Sequence, residues 1–78
     1  MHSYKEFWDA VKARLKSNLA AFELSDGEID KYMFDEKEQI DSEFRYYESG
    51  GRKDSELSPE AFFKACVNRT AYCLEMCY

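Results

Sequence analysis

The apolar positions in the first third of the chain recur every three or four residues, the period of an amphipathic α-helix. They are Tyr4, Trp8, Val11, Leu15, Leu19 and Phe22. Ser3 and Glu6 have the spacing of a capping box, in which the hydroxyl accepts from a free amide and the carboxylate reaches back. The pattern predicts a first helix over residues 3–23 with its lysines and Arg14 facing solvent.

A second apolar stripe follows a second capping box at Ser25 and Glu28 and predicts a helix over residues 26–49. Its members are Ile29, Met33, Ile40, Phe44 and Tyr47. Between Asp35 and Glu38 the apolar position expected from the period falls on a charged residue. The segment is therefore either one helix or two helices that break near Asp35.

The third helix begins at Ser58-Pro59-Glu60, since a serine cap, a proline at the first helical position and an early acid favour a helix start. Its apolar face comprises Phe62, Phe63, Cys66, Val67, Thr70, Cys73, Leu74, Cys77 and Tyr78. It should span residues 59–77, after a polar loop over residues 50–57. No segment has the alternation of a strand. The sequence predicts one all-α domain over residues 1–78, a small three-helix bundle whose second helix is continuous or broken near Asp35.

The negative charge is concentrated in the middle of the chain. The net charge is -5, yet residues 23–48 hold ten acids against Lys31, Lys37 and Arg45, a local net of -7. Such a segment is either a solvated helix face or an imitation of the phosphate track of DNA, able to occupy a cleft lined with Lys and Arg. Embedded tyrosines would serve as interface anchors. The candidate partner-binding residues are Asp26, Glu28, Asp30, Tyr32, Asp35, Glu36, Glu38, Asp41, Glu43, Tyr46 and Glu48.

The cysteines suggest either core packing or a structural zinc site, with a disulfide as the least favoured interpretation. Cys73 and Cys77 are four residues apart on one helix face and could share an ion. Cys66 lies seven residues before Cys73, too far along a straight helix to join them. In an up-down-up bundle His2 would lie near the start of the third helix, and Asp26 would lie nearer the pair. Cys66, His2 and Asp26 are therefore weaker candidate ligands, and a second chain is another source.

Several function classes find no support in the sequence. No nucleophile–base pair can be named, so we expect no enzyme. No apolar run reaches the 18 residues of a membrane span, and no signal-peptide pattern precedes the first helix. We expect a cytoplasmic protein with reduced cysteines and no cofactor except zinc. The basic residues are scattered, which argues against direct binding of nucleic acid.

The acidic stretch "SDGEIDKYMFDEKEQIDSE", with its interleaved tyrosines in a short chain, resembles small phage and mobile-element proteins, and among these the anti-CRISPR inhibitors of RNA-guided DNA nucleases. Several of those proteins act as acidic decoys, and they share no single fold. The resemblance implies a stoichiometric binder that stops target DNA from being recognised, loaded or cut. The alternative is a helical adaptor or antitoxin-like module, zinc-stapled or metal-free. Either could be a monomer or a metal-linked dimer.

Overall fold

A computed structural model describes residues 1–50 and 57–78, so most of the predicted polar loop over residues 50–57 lies outside the described residues. The described residues form four α-helices and one 3₁₀ turn: α1 (Tyr4–Asn18), the turn (Ala20–Phe22), α2 (Asp26–Asp35), α3 (Lys37–Glu48) and α4 (Pro59–Cys77). No strand occurs in these two ranges. The all-α prediction is confirmed, whereas the three-helix count is not.

The helix starts follow the capping residues of the sequence. The Ser3 hydroxyl accepts from the amide of Glu6, and the Glu6 carboxylate accepts from the amide of Ser3. Ser25 and Glu28 form the same reciprocal pair at α2. Ser58 accepts from the amide of Ala61 at 3.2 Å. Each cap satisfies amides that the first helical turn leaves free, and both predicted capping boxes are confirmed.

The first helix ends earlier than residue 23. The chain tightens into the 3₁₀ turn after α1, a frequent way for a helix to end. Glu23 then adopts the left-handed conformation with φ of 53°. Because the 3₁₀ turn has a different period from α1, Phe22 leaves the apolar stripe and is 59% exposed, and Glu23 then turns the chain toward α2.

The second predicted helix is divided at Glu36, near the break considered from the sequence. Glu36 has φ of -103° and ψ of 23°, outside helical values, and its amide donates to the carbonyls of Tyr32 and Met33. A continuous helix would place Glu36 or Lys37 at the next core position. The bend separates two helices, and each buries its own apolar residues: Ile29 and Met33 on α2, Ile40 and Tyr47 on α3.

The core gathers around α1, which packs most extensively on α4 and also contacts α2 and α3. Phe7 is fully buried, with its ring centroid 5.5–6.2 Å from those of Phe44, Tyr47 and Phe63. The periodicity selected Trp8 for the interior, but Trp8 is only partly buried. Trp8 still packs against the core, whereas the fully buried neighbour, Phe7, was left out of the apolar stripe.

Helices α1 and α4 run parallel, as ring contacts at both ends of the bundle show. At one end the His2 ring, just before α1, stacks on Phe63 in the first turns of α4 with centroids 3.7 Å apart. At the other end Phe22 meets Tyr78 edge-on at 5.1 Å. The bundle therefore has a first end that contains His2 and a second end that contains Tyr78.

Candidate interaction surface and cysteine pair

Half of the ten acids between residues 23 and 48 make ion pairs with this chain's own cations. The pairs are Asp26 with Lys16, Asp30 with Lys12, Asp35 with Lys31, Asp41 with Lys37 and Glu43 with Arg69. A carboxylate beside a lysine contributes a much weaker field than a free carboxylate. The acidic segment that could imitate a phosphate track is thus interrupted by cations on the folded surface.

Two of these pairs attach α2 to α1. Lys12 lies 3.0 Å from a carboxylate oxygen of Asp30, and Lys16 pairs with Asp26 at the start of α2. The hydrogen bond from Lys16 lowers the pKa of Asp26. Asp26, a candidate both for partner binding and for zinc, therefore lies in an inter-helix ion pair.

Asp41 joins α3 to the start of α1. Its two carboxylate oxygens accept from Lys37 at 2.7 Å and from the Tyr4 hydroxyl at 2.6 Å. Lys37 first, and then Tyr4, lower the pKa of Asp41, while burial raises the pKa of Tyr4. Asp41 is thus held within the fold rather than presented on an open face.

Glu43 and Tyr46 join α3 to α4 through Arg69. The Arg69 guanidinium donates from Nε at 2.9 Å and Nη2 at 2.6 Å to the same oxygen of Glu43. Its Cζ also lies 4.5 Å from the centroid of the Tyr46 ring, a cation–π distance. Both side chains were selected for partner binding, and both have an intramolecular role.

Tyr32 caps the last turn of α4. Its hydroxyl donates at 2.7 Å to the Leu74 carbonyl, while the Tyr78 amide, which a regular helix would direct there, bonds Glu75 instead. Burial, followed by the nearby Glu36, Cys77 and Tyr78, raises the pKa of Tyr32. The phenol therefore fixes the second end of the bundle.

What remains most open lies where α2 meets α3. Phe34 is 69% exposed and makes no ring contact with a described residue. Asp35 pairs only with Lys31, at 3.4 Å, and within the described ranges Glu36 and Glu38 have no cation partner. We define these four residues, Phe34, Asp35, Glu36 and Glu38, as the α2–α3 corner.

Phe34 was missing from the candidate partner-binding residues. The available signal was its position directly after Met33, off the face that Ile29 and Met33 share. Glu28 and Glu48 are exposed outside the corner, with Glu28 engaged in the cap of Ser25.

The three cysteines occupy different environments. Cys66 is 3% exposed, and burial raises the pKa of its thiol, so Cys66 packs as a core residue. Cys73 is partly buried, Cys77 is exposed, and all three thiols are free. The core interpretation therefore describes Cys66 and leaves the pair Cys73–Cys77 near the surface.

The other candidate zinc ligands do not join the cysteine pair. His2 lies at the first end of the bundle, where its ring nitrogens contact Glu6 at 3.2 Å and Glu60 at 3.0 Å. Glu60 first, and then Glu6, raise the pKa of His2. Across residues 1–50 and 57–78, no three His, Cys, Asp or Glu side chains are grouped to hold a metal ion. Within one chain the cysteines supply two ligands.

No protein-family model, curated protein or solved structure matches the chain. Over the described residues, none of the helices is long and apolar enough to cross a membrane.

Proposed function

We propose that the chain is a small inhibitor that binds a nucleic-acid-handling protein, in the manner of the anti-CRISPR proteins. Its target would be an RNA-guided DNA nuclease in the cytoplasm of the host cell, and it would block recognition or loading of target DNA stoichiometrically. The observation that carries the proposal is the α2–α3 corner, where Phe34 is 69% exposed and where, among the described residues, neither Glu36 nor Glu38 has a cation partner.

An exposed aromatic ring next to acidic residues in the α2–α3 corner suits a basic protein surface. Proteins that hold DNA present Lys and Arg to its phosphates, and these side chains also attract carboxylates. Burying a large apolar side chain at an interface contributes about 1.5–3 kcal/mol. Asp35, Glu36 and Glu38 would direct association toward the basic cleft, and burial of Phe34 would stabilise the complex once it forms.

The ion pairs within the chain favour a compact contact over a long DNA-like track. Asp26, Asp30, Asp41 and Glu43 stabilise contacts between or along helices and are poorly placed to imitate successive phosphates. We therefore assign the principal contact to the α2–α3 corner, with Glu28 and Glu48 adding long-range attraction. The chain acts by binding and carries out no reaction of its own.

A cleavage assay tests the proposal. Guide-loaded nucleases of several types are mixed with increasing amounts of the chain before target DNA is added. Cleavage by at least one of them should fall to near zero at about one chain per nuclease. Full cleavage by every nuclease at large molar excess would remove the proposal.

Two carboxylate variants locate the contact. Asp35→Asn in the corner has a matched control in Asp9→Asn on α1, because each aspartate pairs with a lysine four residues earlier and the two side chains are 57% and 58% exposed. Asp35→Asn should weaken inhibition severalfold, and added salt should weaken wild-type inhibition further. Asp9→Asn should inhibit as wild type does. Equal effects of the two variants would place the contact elsewhere.

The second candidate function is a helical adaptor or antitoxin-like module that binds through the second end of the bundle. Four large apolar side chains are 49–66% exposed there: Phe22 in the 3₁₀ turn, Tyr72 and Met76 on α4, and Tyr78 directly after α4. A separate open groove of about 430 Å³ between α1, the 3₁₀ turn and α2, lined in part by Ala13, Ala20 and Leu24, adds apolar surface. Under this alternative Phe22→Ala, and not Phe34→Ala, would abolish capture of the partner, and that partner would have no role in nucleic-acid handling.

A further inference from the structure

The cysteine pair of α4 has a spacing suited to a metal ion that the described residues of one chain do not enclose. Cys73 and Cys77 lie on the last two turns of α4, separated by four residues and so by roughly 6 Å along the axis at 1.5 Å per residue. Side chains at this spacing share one face of a helix. Since Zn–S bonds are about 2.3 Å long, both thiolates can reach one zinc ion.

The described residues of the same chain do not supply the missing ligands, and another molecule can. Structural zinc takes four ligands, and the described part of the chain groups no third His, Cys, Asp or Glu with the pair. His2 is held by Glu6 and Glu60 at the far end of the bundle, and Cys66 is inside the core. Cys77 is exposed, so the outer half of the coordination sphere faces solvent.

A second copy of the chain supplies the complementary half directly. A twofold axis through the ion would bring an identical Cys73–Cys77 pair to its open side, giving four sulfur ligands in a self-complementary contact. The surroundings suit burial between two copies, because Met76 is 66% exposed and the Phe22 and Tyr78 rings stand together at 5.1 Å. Tyr32 holds the last turn that carries Cys77 by capping Leu74.

We propose that Cys73 and Cys77 of two chains bind one Zn²⁺ and join the chains as a metal-linked dimer. Four Zn–S bonds form as four thiols release their protons to solvent, and no redox change occurs. Dimer formation should therefore strengthen as the pH rises. The proposal does not depend on the inhibitor function, because the α2–α3 corner contributes no ligand.

Charge distinguishes this dimer from binding to a basic partner. Each copy carries a net charge of -5, so the two copies repel one another. Screening by salt should stabilise the dimer, whereas salt should weaken the contact with a nuclease. The opposite salt responses separate the two associations in one set of buffers.

The experiment titrates Zn²⁺ into metal-free, reduced protein and measures mass by light scattering after gel filtration. We expect one ion per two chains to convert the 9.2 kDa monomer into a species of twice that mass. A chelator should reverse the change. Cys73→Ser and Cys77→Ser should each abolish it, and Cys66→Ala should leave the stoichiometry intact. Cobalt in place of zinc should give the visible absorption of a tetrahedral thiolate site.

Several results would overturn the proposal. One is absence of zinc binding by folded wild-type protein. Another is a one-to-one zinc complex that stays monomeric. A third is a dimer that resists chelator and dissociates with reductant, which would indicate a disulfide. Inhibition assays run with Cys73→Ser use a chain that cannot form the zinc-linked dimer, so failure of the inhibitor proposal is recognised separately.

Discussion

Removing one hydroxyl from Tyr32 tests how the second end of the bundle is held. Tyr32→Phe deletes the 2.7 Å hydrogen bond to the Leu74 carbonyl while keeping the ring that contacts Tyr78 at 5.1 Å. A neutral hydrogen bond of this kind contributes a net of about 0.5–1.5 kcal/mol. The Tyr78 amide cannot replace the lost donor, because it already donates to the Glu75 carbonyl and not to the Leu74 carbonyl. We therefore expect a loss of about 1 kcal/mol in the free energy of unfolding.

Urea and thermal denaturation followed by circular dichroism measure this loss. For a domain of this size 1 kcal/mol corresponds to a fall in Tm of about 4–8 °C. Tyr72→Phe is the matched control, because Tyr72 is 57% exposed and donates no hydrogen bond to a described residue. It should unfold within about 0.5 kcal/mol of wild type. Equal midpoints for Tyr32→Phe and wild type would refute the capping role of Tyr32.

Two other predictions concern the core and the first end of the bundle. Phe7→Ala should lower the free energy of unfolding, measured in urea, by about 3–5 kcal/mol because Phe7 is fully buried. Trp8→Ala, at a partly buried site, should lower it clearly less. The reverse order would contradict the packing of α1. Glu60 and Glu6 raise the pKa of His2 above 6.5, so the stabilisation by the protonated ring should be complete below about pH 6.5 and disappear as the pH rises through the raised pKa. The difference in Tm between wild type and His2→Gln should shrink over that window, and a constant difference would exclude the linkage.

The helix starts could be predicted from the sequence because capping is local. Ser3, Ser25 and Ser58 and the acids that follow them act within one turn of the chain, so their spacing in the sequence is sufficient. The weak point at Glu36 was visible for the same reason, since a charged residue falls at a core position. The end of α1 was not visible, because the apolar period continues through Leu19 and Phe22 while the backbone tightens into the 3₁₀ turn after Asn18.

The surface was harder to predict because it depends on which helices meet. Arg69 pairs with Glu43 across 26 residues, and Lys12 pairs with Asp30 across 18. Neither pair has a local sequence pattern, so the acidic segment looked more open than it is.

The most direct measurement is DNA cleavage by a susceptible guide-loaded nuclease in the presence of wild type, Phe34→Ala or Phe22→Ala. The two variants each remove one largely exposed ring: Phe34, 69% exposed, on α2, and Phe22, 59% exposed, in the 3₁₀ turn. If inhibition acts through the α2–α3 corner, wild type and Phe22→Ala should both block cleavage. Phe34→Ala should lose about tenfold or more in inhibitory potency, the loss expected when an anchor contributing at least 1.4 kcal/mol is removed. Undiminished inhibition by Phe34→Ala, or cleavage that wild type leaves unchanged, would contradict inhibition through the corner.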